Sequence, residues 1–120
     1  MEAFGRLLKP GGKLIIAVPN HTSFDARKYR KYWAAWDVPR HIWHFSPSHM
    51  RQFGERFGFR LNNMHNMPFD SFYVSILSEK YKKSNLALIK GLFFGMISWL
   101  IGFTGKGRGS SVIYVFDKLA

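Results

Sequence analysis

The sequence predicts an α/β fold built on a short sheet, and three stretches carry that prediction. Leu14, Ile15, Ile16, Ala17 and Val18 run apolar without alternation, as a strand covered on both faces does. Ser111 to Leu119 sets Val112, Tyr114 and Phe116 against Ile113, Val115 and Asp117, the period-two pattern of a strand. Phe59 to Met67 reads as a weaker strand because Asn62, Asn63 and Asn66 interrupt it, which marks it as an edge. Helical patterns separate the three.

Before the first strand, Glu2 to Leu8 reads as the last turns of a helix, with Phe4, Leu7 and Leu8 on one face that needs a sheet to lie on. Pro10 cannot continue that helix, and Gly11-Gly12 supplies positive φ at no steric cost, so the chain turns into the strand there. Pro19 and Asn20 close the strand. Ligands of open α/β sheets lie beyond the carboxyl ends of strands, which makes Asn20 and His21 candidates to touch substrate or cofactor, against the simpler reading of a solvated polar loop.

Arg27 to Trp36 interleaves Arg27, Lys28, Arg30 and Lys31 with Tyr29, Tyr32, Trp33 and Trp36. At helical spacing one face is aromatic and the other basic, which suits a nucleic-acid strand, a lid or membrane-facing flap, or a plain packed helix. No RNA-binding motif accompanies it, so nucleic acid is the weakest of the three.

Asp37 to Phe45, DVPRHIWHF, carries the densest chemistry. His41 and His44 with Asp37 fall short of a metal site, which needs three or four converging ligands. One imidazole can accept a substrate proton at neutral pH, and Arg40 can hold an anionic group or a carbonyl. The competing reading is structural: Pro39 fixes a turn, Trp43 and Phe45 pack, and the histidines satisfy buried backbone.

Ser46-Pro47 starts a helix to Phe57, with Ser as cap, Met50, Phe53 and Phe57 inward, and Gly58 as the stop. Ser71 to Lys83 is helical with a basic tail at Lys80, Lys82 and Lys83. Leu86 to Phe103 is the most apolar segment, uncharged from Gly91 to Gly105, with Ile89, Leu92, Phe93, Met96, Leu100 and Phe103 as one stripe and Gly91, Gly95, Ser98 and Gly102 as a small-residue stripe. That run is shorter than the roughly 20 residues needed to span a bilayer. A single crossing would also strand Phe59 to Met67 and Ser111 to Leu119 on opposite sides. The segment therefore packs on Ser71 to Lys83 as a hairpin, or lies in a membrane interface with Lys80, Lys82, Lys83, Lys90, Lys106 and Arg108 near anionic headgroups. Gly105-Lys-Gly-Arg-Gly109 is no nucleotide loop, since it leaves a helix and enters a strand.

Composition sets the outer bounds. Apolar residues at 47% and aromatics at 18% exclude general disorder. Eighteen Lys and Arg against seven Asp and Glu give a net charge of +11, a bias toward anionic partners unless an acidic partner balances it. With no cysteine there is no disulfide or thiolate metal site, and no signal peptide is visible, so a cytoplasmic address is expected.

A helix ending in LLKPGG and a strand closing in VPN resemble the fifth strand of the class I S-adenosylmethionine-dependent methyltransferases. DVPRHIWHFSPSHMRQFGERFGF is similar to the segment that follows that strand in one branch of the family, and the resemblance spans Met1 to Met67 closely and Gly107 to Leu119 loosely. It implies a partial Rossmann-like sheet of strands five, seven and six in which Ser111 to Leu119 lies in the middle, antiparallel to both neighbours. Residues 1–120 would form one domain, the C-terminal half of the fold, with residues 70–105 a helical insertion. The function implied is methyl transfer to oxygen, nitrogen or carbon of a small-molecule or lipid acceptor, with His41 or His44 as base and Asn20, His21 and Arg40 lining the acceptor pocket. The cofactor, S-adenosyl-L-methionine, would be held by a preceding half, so this chain alone would bind it poorly and be inactive. Its open strand edge would pair with that half or in a homo-oligomer. The competing class is a non-enzymatic basic and aromatic module on a membrane surface or nucleic acid.

Overall fold

The computed structural model describes residues 1–36, 44–67 and 69–119. Three strands, β1 (Lys13–Pro19), β2 (Phe59–Asn66) and β3 (Ser111–Lys118), form one sheet in the order β1-β3-β2. The strand latest in sequence is central and antiparallel to both neighbours, with Lys13 opposite Asp117 and Pro19 opposite Ser111 on one side and Asn66 opposite Val112 on the other. β2 is an edge, as its asparagines suggest, and its register shifts between Leu61 and Asn63.

The turn into β1 depends on its glycines. Gly11 has φ +77°, and a Cβ on Gly12 would lie 2.8 Å from the Lys9 carbonyl oxygen. Helix α1 (Glu2–Leu7) precedes the turn and buries no residue of its own: of the expected apolar face Leu8 packs against the sheet core, whereas Phe4 and Leu7 are exposed. Lys118 holds it instead, donating from Nζ to the Gly5 and Leu8 carbonyls, a cation at the helix C-terminus.

β1 also departs from expectation. Leu14 is buried, whereas Ile15 is 64% exposed and Ala17 is open, so the strand is covered on one face only. An unbroken apolar run permits two covered faces but does not supply the second cover. The covered face joins Val112, Tyr114 and Phe116 of β3, Phe59 of β2 and Met50 of the covering helix in the first core. Burial there pushes the Tyr114 hydroxyl up to about 12.

That helix is α3 (Pro47–Arg56), listing the expected cap in its geometry: the Ser46 Oγ accepts the His49 N–H at 3.3 Å. Gly58 follows with φ +80° and ends it. Gly54 lies against the Phe116 ring, where a Cβ would come within 2.3 Å of Cε1.

The basic and aromatic stretch is not one helix. Helix α2 (Phe24–Tyr29) stops at Arg30, whose φ is +50°, and two 3-10 turns follow over Arg30–Tyr32 and Ala34–Trp36. Side-chain bonds to backbone and buried acid outweigh helix continuation: Trp36 Nε1 donates to the Arg30 carbonyl at 2.7 Å, and Trp33 Nε1 to Asp25 at 2.8 Å. Tyr29 and Trp33 are thereby buried and cannot stack on nucleic-acid bases, while Arg27, Lys28, Arg30 and Lys31 remain outside.

Helices α4 (Asp70–Tyr81) and α5 (Ala87–Gly102) pack together along the small-residue stripe. Gly91 lies against Ile76 and Gly95 against Phe72, an opposed progression that makes the pair antiparallel. Tyr29, Trp33, Ala34 and Val74 form the second core between this pair and α2. Buried Asp25 ties it to the sheet, accepting from Trp33 Nε1, Ser98 Oγ at 2.8 Å and Ser110 Oγ at 2.6 Å. Among the described residues no helix is long and apolar enough to cross a membrane.

The glycine contact gives a signed prediction. A Cβ on Gly95 would sit 2.8 Å from the Phe72 Cα, so Gly95→Ala should lower unfolding free energy. We expect a loss of about 1–3 kcal/mol from overpacking, against a gain of up to about 1 kcal/mol at an open helical position. The urea midpoint reads the sign.

Candidate functional site

The carboxyl end of β1 is built around Asn20, which is fully buried. Its Nδ2 donates to the Gly107 carbonyl at 2.8 Å and the Gly109 carbonyl at 3.1 Å, and its Oδ1 accepts the Thr22 N–H and hydroxyl. Asn66, at the end of β2, completes a clamp: its Oδ1 accepts the N–H of Gly107 at 3.0 Å and of Gly109 at 2.9 Å. The glycines make this close approach feasible, since Gly107 has φ +83° and a Cβ on Gly109 would meet the Asn66 Cβ at 2.8 Å. All four hydrogen-bonding positions of the Asn20 amide are thus occupied within the protein. Asn20 sits in the expected place, but as the residue that holds the 105–110 loop.

His21, the next residue, faces outward into an aromatic cluster. Its ring lies 6.4 Å from Trp36 and 6.0 Å from His49, near-parallel to both. Trp36 in turn meets His44 edge-on at 4.7 Å. The His44 Nε2 is 2.8 Å from the Trp36 carbonyl. A carbonyl can only accept, so Nε2 carries the proton and Nδ1 remains as the acceptor. Burial first, then the neighbouring His49 and His44, lowers the His21 pKa from its ordinary 6.5, so this imidazole is a neutral base at pH 7.

The structure therefore brings His21 and His44 together around Trp36, beside Asn20. Arg40 and His41 lie outside the described residues. His49 is a member that sequence reading missed, because nothing in the spacing of a helix's first turn separates it from a solvated histidine. A bridge between Asn20 and Phe45 carries that turn to the end of β1. Among the described residues no group of three or more His, Cys, Asp or Glu is placed to hold a metal ion.

Residues 1–63, just over half of the chain, match a family model described as a methyltransferase domain. No curated protein matches the chain. The family uses an S-adenosylmethionine-type donor, whose ribose calls for a free carboxylate beyond the carboxyl end of a strand. Here Asp25, Asp70, Glu79 and Asp117 accept hydrogen bonds from Ser98, Ser111, Tyr29 and Lys13. Glu2 and Glu55 lie toward the opposite, amino end of β1 and β2.

Two measurements test this geometry. In an NMR titration the His21 ring protons should show a midpoint below 6.5, and His49→Ala should raise it toward that value. The unfolded chain takes up this proton first, so acidification below 6.5 should cost stability, with the contribution intact above it. Separately, Asn20→Ala leaves two carbonyls without their donor and should lower the urea unfolding free energy by about 1–3 kcal/mol for each carbonyl left dry.

Proposed function

We propose a function from one premise: this chain belongs to the methyltransferase-domain family. In our reading β1, β3 and β2 correspond to the fifth, seventh and sixth strands of that family's sheet, and the chain supplies the acceptor side of methyl transfer. The observation that carries the reading is the position of the His21 imidazole, flanked by His49 and Trp36 beyond the carboxyl end of β1, where burial lowers its pKa.

Methyl transfer needs acceptor and donor aligned, with a base where the acceptor must lose a proton. His21 accepts that proton from an oxygen or nitrogen nucleophile. His44 fixes the Trp36 carbonyl through Nε2 and so sets the plane against which the acceptor lies. Arg40 provides charge for an anionic acceptor and His41 a further base. S-adenosylmethionine is held by another part of the complete protein, which also pairs with the open edge of β1 or is replaced there by a second copy.

Calorimetry on this chain alone should show no micromolar binding of S-adenosylmethionine, and micromolar binding would place the donor site here and overturn the division of labour. In the complete enzyme, His21→Gln should lower the rate by about 10²–10⁴-fold and remove the acidic limb of the pH profile. Light scattering should show the isolated chain associating as concentration rises. A monomer throughout would count against the open edge as a pairing surface.

A further inference from the structure

We infer that the outer face of α5 is a docking surface for anionic lipid bilayers, on which the molecule lies with this helix parallel to the membrane plane. The argument starts from what α4 leaves uncovered. Gly91 and Gly95 face α4 and Ser98 faces Asp25 of α2, and all three are buried, so the opposite side of α5 turns outward. That side carries Leu88, Ile89, Leu92, Phe93, Met96, Leu100 and Phe103, all exposed, with Phe93 at 61% and Phe103 at 72%. The 16-residue helix is about 24 Å long, and no charge interrupts its exposed face after Lys90. A contiguous apolar surface of this extent on a water-facing helix marks an interaction site.

Charge selects the occupant. Lys80, Lys82, Lys83 and Lys90 cluster at one end of the apolar stripe, and Lys106 and Arg108 stand beyond the other, all exposed. Between residues 70 and 116 the acids are Asp70 and Glu79. Asp70 accepts from Ser111, and Glu79 is buried against Tyr29. Pairing this face with a second copy would therefore set cations against cations in either orientation. An anionic bilayer offers what both features require, hydrocarbon for the stripe and phosphate at each end. Cations at both ends of a helix too short to span dictate the in-plane orientation.

The face acts as one surface with the rest of the molecule, because Ser98 on the inner side of α5 donates to Asp25. Docking therefore holds the carboxyl end of β1 at a fixed height above the lipid.

Co-sedimentation with vesicles of equal parts phosphatidylcholine and phosphatidylglycerol tests this, with pure phosphatidylcholine as the comparison. Binding should require the anionic lipid and fall at high salt. Phe93→Asp should weaken it by about tenfold or more, and Lys82→Glu with Lys83→Glu by a similar factor. Arg51→Glu with Arg56→Glu on α3 changes net charge by the same amount and should alter binding by less than about twofold. The urea midpoints of all variants establish that each is folded, which the exposure of these side chains favours. Equal losses for the two charge pairs would reduce the binding to diffuse attraction and overturn the proposal. Retention of full binding by Phe93→Asp would overturn it equally, as would a concentration-dependent dimer that Phe93→Asp dissolves.

Discussion

Asp25 is the constraint on which the rest of this molecule depends. A carboxylate removed from water demands donors, and among the described residues those donors are neutral: the Trp33 indole and the Ser98 and Ser110 hydroxyls. Each comes from a different element, so satisfying one buried carboxyl group fixes the 3-10 segment, α5 and the entry to β3 at once. The position of Asp25 in the first turn of α2 adds the helix dipole to this balance. Loss of any one donor leaves the same buried carboxyl group with fewer partners, which ties the second core to the sheet.

Much of this was legible from local chemistry. Ser46-Pro47, Gly58, Gly11-Gly12 and the small-residue stripe of α5 each act through a backbone rule that holds whatever surrounds them. The central place of β3 came through family resemblance. What stayed hidden depends on partners distant in sequence. Nothing local tells a buried Asn20 that clamps a loop from an Asn20 that greets a ligand, and nothing local announces that Asn66 meets the same two glycines from the other side. Arg30 is the clearest local failure. Propensity favours continuing the helix, but the bonds of Trp33 and Trp36 reward the break.

The open face of β1 and the outer face of α5 share one cause. In both, a pattern of apolar residues records a surface to be covered, while the described residues cover only the side nearest the core. Ile15 and Phe93 are equally apolar and nearly equally exposed, yet their surroundings differ. Ile15 sits on a strand with an unpaired edge, where hydrogen bonding directs a partner, whereas α5 has satisfied its own backbone and offers only apolar area and flanking cations.

The central position of β3 also governs how the chain acquires its structure. Among the described residues β1 and β2 each pair with β3 and not with each other, β3 follows both in sequence, and Lys13 waits for Asp117 across 104 residues. During synthesis β1 and β2 emerge before the strand that joins them, while the α4 and α5 pair can assemble from local contacts beforehand. Joining the three strands is then a late event with a long loop to shut, and the nascent protein passes through a stage in which the apolar helices are formed and β1 and β2 are not yet connected. Any chaperone or membrane that meets it on the ribosome meets that stage first.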